Sequence, residues 1–170
     1  MAGGGIARAR FVLFVGHAGT ITTMAKITNL GDQTDIKWIF NVSTSVGPNG
    51  YNRADDVMLV QHVLNTLLAN LDIRNAKGVR ITSYLTRDGL FGRLTKEAIL
   101  GYQRNAQNRG LQLTADGMVS SASATGWTRN NVQYTIVHLN RDHLRVHGKM
   151  MSEADFPQLL RQAIGKAGIS

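Results

Sequence analysis

The sequence predicts an α+β protein whose helical middle is flanked by a small antiparallel β-sheet drawn from both ends of the chain. Three observations carry this reading. Apolar and polar residues alternate near both ends, they recur at helical spacing in the middle, and Gly47-Pro48-Asn49-Gly50 is the strongest breaker in the chain. The divisions that follow are an N-terminal β segment over 1–45, a helical module over 46–133, and a C-terminal strand and helix over 134–170 that pack on the first segment. A chain of 170 residues, 43% hydrophobic with 18 glycines and two prolines, suits one folded core of ordinary size.

Each element has its own signal. Phe11–Val15 is too short for the apolar core of a signal peptide (about 7–15 residues) and reads as a strand. Ile36, Trp38, Phe40 and Val42 alternate with Lys37 and Asn41 as a half-buried strand, with Gly31-Asp32 as the turn before it and Ile21–Leu30 as its partner. Asn52 is placed to cap the first helix, with Asp55 three residues on and Asp56 beside it at the positive helix end. Val57, Val60, Leu64, Leu67 and Leu68 make its buried stripe, and Leu94, Ala98, Ile99 and Tyr102 that of a second helix entered through Phe91. A third, shorter helix is expected after Ser120, although Ser-Ser-Ala-Ser-Ala-Thr-Gly is a poor helix signature. Tyr134, Ile136 and His138 alternating with Thr135, Val137 and Leu139 predict a strand. The last element is a helix capped by Asp155, with Pro157 in its first turn, Phe156, Leu159, Leu160, Ala163 and Ile164 as apolar contacts, and Gly165 as its stop.

The middle of the chain carries a set of motifs in a fixed order. Asp55-Asp56-Val57-Met58-Leu59-Val60-Gln61-His62-Val63-Leu64-Asn65 comes first, then Asp88-Gly89-Leu90-Phe91-Gly92-Arg93-Leu94-Thr95, then Tyr102-Gln103, then Asp116-Gly117-Met118-Val119. This order resembles the three-helix peptidoglycan-binding module that accompanies many bacterial cell-wall enzymes. The resemblance covers about 75 residues and implies a three-helix peptidoglycan-binding-like core whose motif residues Asp56, Val60, Leu64, Gly89, Phe91, Gly92, Asp116 and Gly117 mainly build the fold. Two departures stand out: Arg93 replaces the family's proline after the Phe-Gly pair, and Ser120-Ser121-Ala122-Ser123 replaces its continuation of the second turn. If wall binding persists, the expected surface is a groove between the first two helices and the Asp88 loop. Gln61, Arg87, Asp88, Arg93 and Gln103 would be its polar contacts, and Tyr84 or Tyr102 its platform.

Catalytic constellations are scarce. A glycosidase needs two carboxylates flanking the scissile bond, and the only glutamates are Glu97 and Glu153. His143 and His147 stand four apart, a spacing zinc sites use on a helix, and His138, Asp142 or His17 would have to complete the set. No cysteine, nucleophile elbow or phosphate loop is present, and no cofactor is expected.

The net charge of +8 is concentrated between Arg74 and Arg109, where eight basic residues face Asp88 and Glu97. Such a surface attracts polyanions at a salt-dependent range, while few aromatics and no helix-turn-helix argue against nucleic acid. No segment reaches the ~18 apolar residues of a membrane span. The expectation is a non-catalytic accessory protein that binds peptidoglycan or another anionic wall polymer. It would be made in the bacterial cytoplasm without a clear signal peptide and carried on a phage tail or contractile injection particle. The alternatives are a structural protein–protein adaptor in such an assembly and a small zinc-dependent wall hydrolase.

Overall fold

Helix and strand order follows from where the chain can bury apolar surface. The computed structural model describes residues 25–30, 36–123, 128–129 and 132–165. Its elements are β1 (Lys26–Asn29), β2 (Trp38–Asn41), α1 (Ala54–Leu68), α2 (Arg93–Asn108), β3 (Thr128–Arg129), β4 (Val132–Gln133), α3 (Thr135–His147) and α4 (Gln158–Gly165), with a 3-10 turn at Glu153–Asp155. The strand expected at Phe11–Val15, the Gly31-Asp32 turn and His17 lie outside the described residues.

Helix α1 is the axis of the core. Val57, Leu59, Val60, Val63, Leu64, Leu67 and Leu68 are all buried, so the helix is covered nearly all round and not on one stripe alone. Its start is held differently from the cap the sequence suggests. Asn52 sits at φ +48 and folds its amide back onto the Gly47–Gly50 turn, leaving Arg53 at the cap position without a side-chain bond. The acidic pair is used for docking. Asp56 accepts the backbone N–H and hydroxyl of both Ser43 and Thr44 at 2.7–2.9 Å, and Asp55 accepts the Ala25 N–H at 2.8 Å. These carboxylates tie the ends of the β-hairpin to the helix N-terminus, where the dipole favours negative charge.

Strands β1 and β2 pair antiparallel, Lys26 opposite Asn41 and Asn29 opposite Trp38. The expected alternation fails at Trp38, which is half exposed, because Ile39 and Phe40 on opposite faces of β2 are both covered. Helix α3 supplies part of that cover. The segment from Tyr134, expected to be a strand joining this sheet, is helical over thirteen residues. Ile136, Val137, Leu139, Asn140 and His143 are buried, and Gly148 in the left-handed region ends the helix with its N–H on the Leu144 carbonyl at 2.8 Å. The sheet is therefore not built from both termini. Helix α3 meets β2 through Asn140, whose side chain bonds both the N–H and the carbonyl of Phe40, at 3.0 and 2.9 Å.

Residues 120–123, where a third helix was expected to begin, are not helical, and 124–127 lie outside the described residues; Val119 bridges Val46, and α3 packs beside α1. Two further details differ. Leu94, expected in the buried stripe of α2, is 58% exposed, and the stripe runs through Thr95, Ala98, Ile99, Tyr102, Gln103 and Ala106. Asp155 does not cap α4; it closes a capping box with Ser152 on the 3-10 turn, after which Phe156 and Leu160 are buried. The Leu159, Ala163 and Ile164 side chains lie outside the described residues.

Candidate functional site

The two Asp-Gly turns are built alike. In the first, Gln61 of α1 donates its side-chain amide toward Asp88 Oδ1 (3.0 Å), the Leu90 carbonyl (3.1 Å) and Thr95 Oγ1 (3.3 Å), and accepts the Gly89 N–H at 3.1 Å. In the second, Gln103 of α2 donates toward Asp116 Oδ1 (3.2 Å), the Met118 carbonyl (2.9 Å) and Thr135 Oγ1 (3.0 Å), and accepts the Gly117 N–H at 2.8 Å. Each aspartate also accepts the N–H two residues on, from Leu90 and from Met118. A helix amide thus locks a turn and reaches a threonine at the start of the next helix, twice in succession. Gly89 and Gly117 lie at φ +74 and +77, and a Cβ on Gly89 would stand 2.7 Å from the Ala54 carbonyl. Gly92 has no such need: its backbone is extended and the space around it is open.

These bonds relocate much of the expected contact surface. Gln61 and Gln103 are 2% and 0% exposed, and their amides are engaged within the fold. Tyr102 is fully buried as well, its hydroxyl donating to Asp142 at 2.8 Å, so it offers no platform. Asp142 also takes both arms of the Arg109 guanidinium. Burial alone would raise the Asp142 carboxyl, but Arg109 and Tyr102 together pull it below the ordinary carboxylate value. Val60 and Leu64 are core residues, Asp56 is the hairpin clamp described above, and Phe91 is half-buried against the core.

Tyr84, Arg87, Asp88 and Arg93 remain at the surface with Leu90 and Leu94. The Asp88 carboxyl is held below its usual range, first by the Leu90 N–H and then by Gln61. Arg93 is paired with Glu97 at 2.7 Å across one helical turn. A concave space lies at the other turn, where the expected groove was not placed. A cleft of about 270 Å3 is lined by Thr114, Asp116, Met118, Ser120, Val132, Gln133, Tyr134 and Thr135. That is just below the ~300–1,000 Å3 range of ligand pockets, room for a fragment and not for a whole repeat unit. No family model, curated protein or solved structure matches this chain.

The motif residue Asp116 therefore borders a recess as well as a turn, a role its motif position does not reveal. The Asp116 oxygen left over from the turn, the hydroxyls of Thr114, Ser120 and Tyr134, and the Gln133 amide provide both donors and acceptors there. Gln133 accepts from Arg141 at 2.7 Å, which leaves its amide nitrogen for other partners.

The histidine pair is brought together by α3, with ring centroids 4.5 Å apart. His143 Nδ1 lies 3.1 Å from Thr66 Oγ1 and His147 Nε2 lies 3.1 Å from the Thr66 carbonyl. Among the described residues no third histidine or carboxylate joins them in a metal-holding group, and Asp142 is committed to Arg109 and Tyr102.

Proposed function

We propose that this protein is a non-catalytic module that holds bacterial peptidoglycan, seating a sugar or stem-peptide fragment in the cleft beside the second Asp-Gly turn. The observation that carries the proposal is the division of labour at that turn. Gln103 satisfies the turn from within, so the second Asp116 oxygen, the Thr114 and Ser120 hydroxyls and the uncovered part of the Tyr134 ring can meet a ligand that is itself both polar and partly apolar. The motif resemblance supports the ligand class, and the basic stretch from Arg74 to Arg109 supports an anionic polymer as the larger target. Carriage by a phage tail or injection particle belongs to the same proposal.

The adaptor reading has one observation in its favour: Tyr84, Leu90 and Leu94 are all large, apolar and more than half exposed around the first turn. Sedimentation with purified insoluble peptidoglycan across a salt series separates the two. Wall recognition predicts retention that persists in high salt and is lost in Tyr134→Ala, with Leu90→Asp and Leu94→Asp still bound. Retention that vanishes with salt, or that survives Tyr134→Ala, refutes binding in the cleft.

A further inference from the structure

A second cluster is made of two enclosed histidines beside the C-terminal hook, the 3-10 turn at Glu153–Asp155 and α4. His62 of α1 and His143 of α3 are each 4% exposed. The hook is anchored on the first of them: the Phe156 ring packs edge-on against Phe40 at 4.6 Å and against His62 at 5.1 Å. Met151, Phe156 and Leu160 are buried in this contact.

The proton positions follow from the neighbours. Thr66 gives its hydroxyl proton to the Val63 carbonyl at 2.7 Å, so the contact with His143 requires an N–H at His143 Nδ1. His143 Nε2 is then a bare lone pair, buried without a partner among the described residues. At His62 the Arg87 guanidinium, which can only donate, faces Nδ1 at 3.5 Å. The proton of neutral His62 therefore sits on Nε2, also enclosed and unpartnered. Charging His143 places a new N–H in a pocket with no acceptor. Charging His62 places it against a guanidinium.

The surrounding charges oppose protonation on balance. Arg87 reaches in from the loop before α2, His147 stacks on His143, and Lys149 follows at the end of α3. Arg145 on the same helix leans to Asp142 at 3.7 Å, and Glu153 and Arg161 of the hook are exposed. The one anion that both rings feel is Asp155, and its carboxylate already accepts from Ser152 and Lys149.

From this geometry we propose that the C-terminal hook is an acid-released latch, closed while His62 and His143 are neutral and freed when they take up protons. Burial first, and then Arg87 for His62 and His147 for His143, lower both rings from 6.5 to about 4. Below pH 6.5 the open form binds protons that the closed form refuses, so acid favours opening. At pH 5 the bias is about 30-fold for each ring relative to pH 8.

Amide hydrogen exchange of the full chain at pH 7 and pH 5, corrected for intrinsic rates, tests this. Protection over 151–165 should fall at least tenfold while that of α2 holds, and the fall should disappear in His62→Asn with His143→Asn, where each amide can replace the Nδ1 contact without titrating. Unchanged hook protection at pH 5, loss in step with α2, or a fall that persists in the double variant overturns the latch. Should that variant not fold, NMR titration of the wild-type rings decides: titration in step with hook release supports the latch, and titration under a protected hook refutes it.

Discussion

One glutamine amide can both donate to and accept from a single backbone turn, and this chain uses that at two corners of its helical core. Removing Gln61 leaves the Gly89 N–H and the Leu90 carbonyl without that partner inside the fold. Gln61→Ala is expected to cost about 2–3 kcal/mol, read from the urea midpoint at constant slope. Two glycines of one motif should part company in the same assay. Gly89→Ala forces a side chain into a left-handed turn against the Ala54 carbonyl and should cost ~1–3 kcal/mol, while Gly92→Ala, extended and in open space, should stay within about 0.5 kcal/mol. Every residue of these locks except Thr135 is visible in the sequence within a motif. Its direction is not. A helical glutamine that faces solvent and one that reaches into a turn are the same letter at the same spacing, so Gln61 and Gln103 were read as surface contacts.

Among the elements, α1 and α2 were legible because their apolar residues recur at helical spacing over four turns. Helix α3 was misread for a physical reason. Ile136, Val137 and Thr135 are β-branched residues at its start, and a short window of them also satisfies period two. The opposing signals stood further on: Arg145 and His147 in the last turn, then Gly148 at the left-handed stop. Gly148→Ala should therefore cost about 1 kcal/mol and lower the melting temperature, with α3 amides exchanging faster from the C-terminal end. The join between α2 and α3 includes a part-buried ion pair that no sequence spacing announces. Arg109→Ala strands the Asp142 carboxylate beside Tyr102 and should cost about 3 kcal/mol by chemical unfolding. The cleft was invisible for a similar reason, since Thr114, Ser120 and Tyr134 come from separate segments and meet only after α3 folds back.

For the whole molecule, stability should be flat near neutrality and decline in acid. His62 and His143 have folded values near 4 against an ordinary 6.5, so the unfolded chain binds more protons between those limits and stability is lost as pH falls through that window. Asp142 adds a further loss below the ordinary carboxylate range, because its folded value is depressed. Asp56, raised by burial against the pull of its Ser43 and Thr44 bonds, works the other way and softens the decline. Urea unfolding from pH 8 to pH 4 checks the sign; a midpoint that rises on acidification contradicts the assignment of neutral rings. The slope should ease once the hook has opened, since the exposed rings then titrate in both states.

An unpaired strand edge ordinarily presents a row of free backbone groups on which a neighbouring copy can build fibrils. Here Asn140 occupies the Phe40 position of β2 with the donor and acceptor a foreign strand would bring. That amide closes one position of the strand to intermolecular cross-β pairing, so solutions of Asn140→Leu should turn turbid sooner than those of the parent chain.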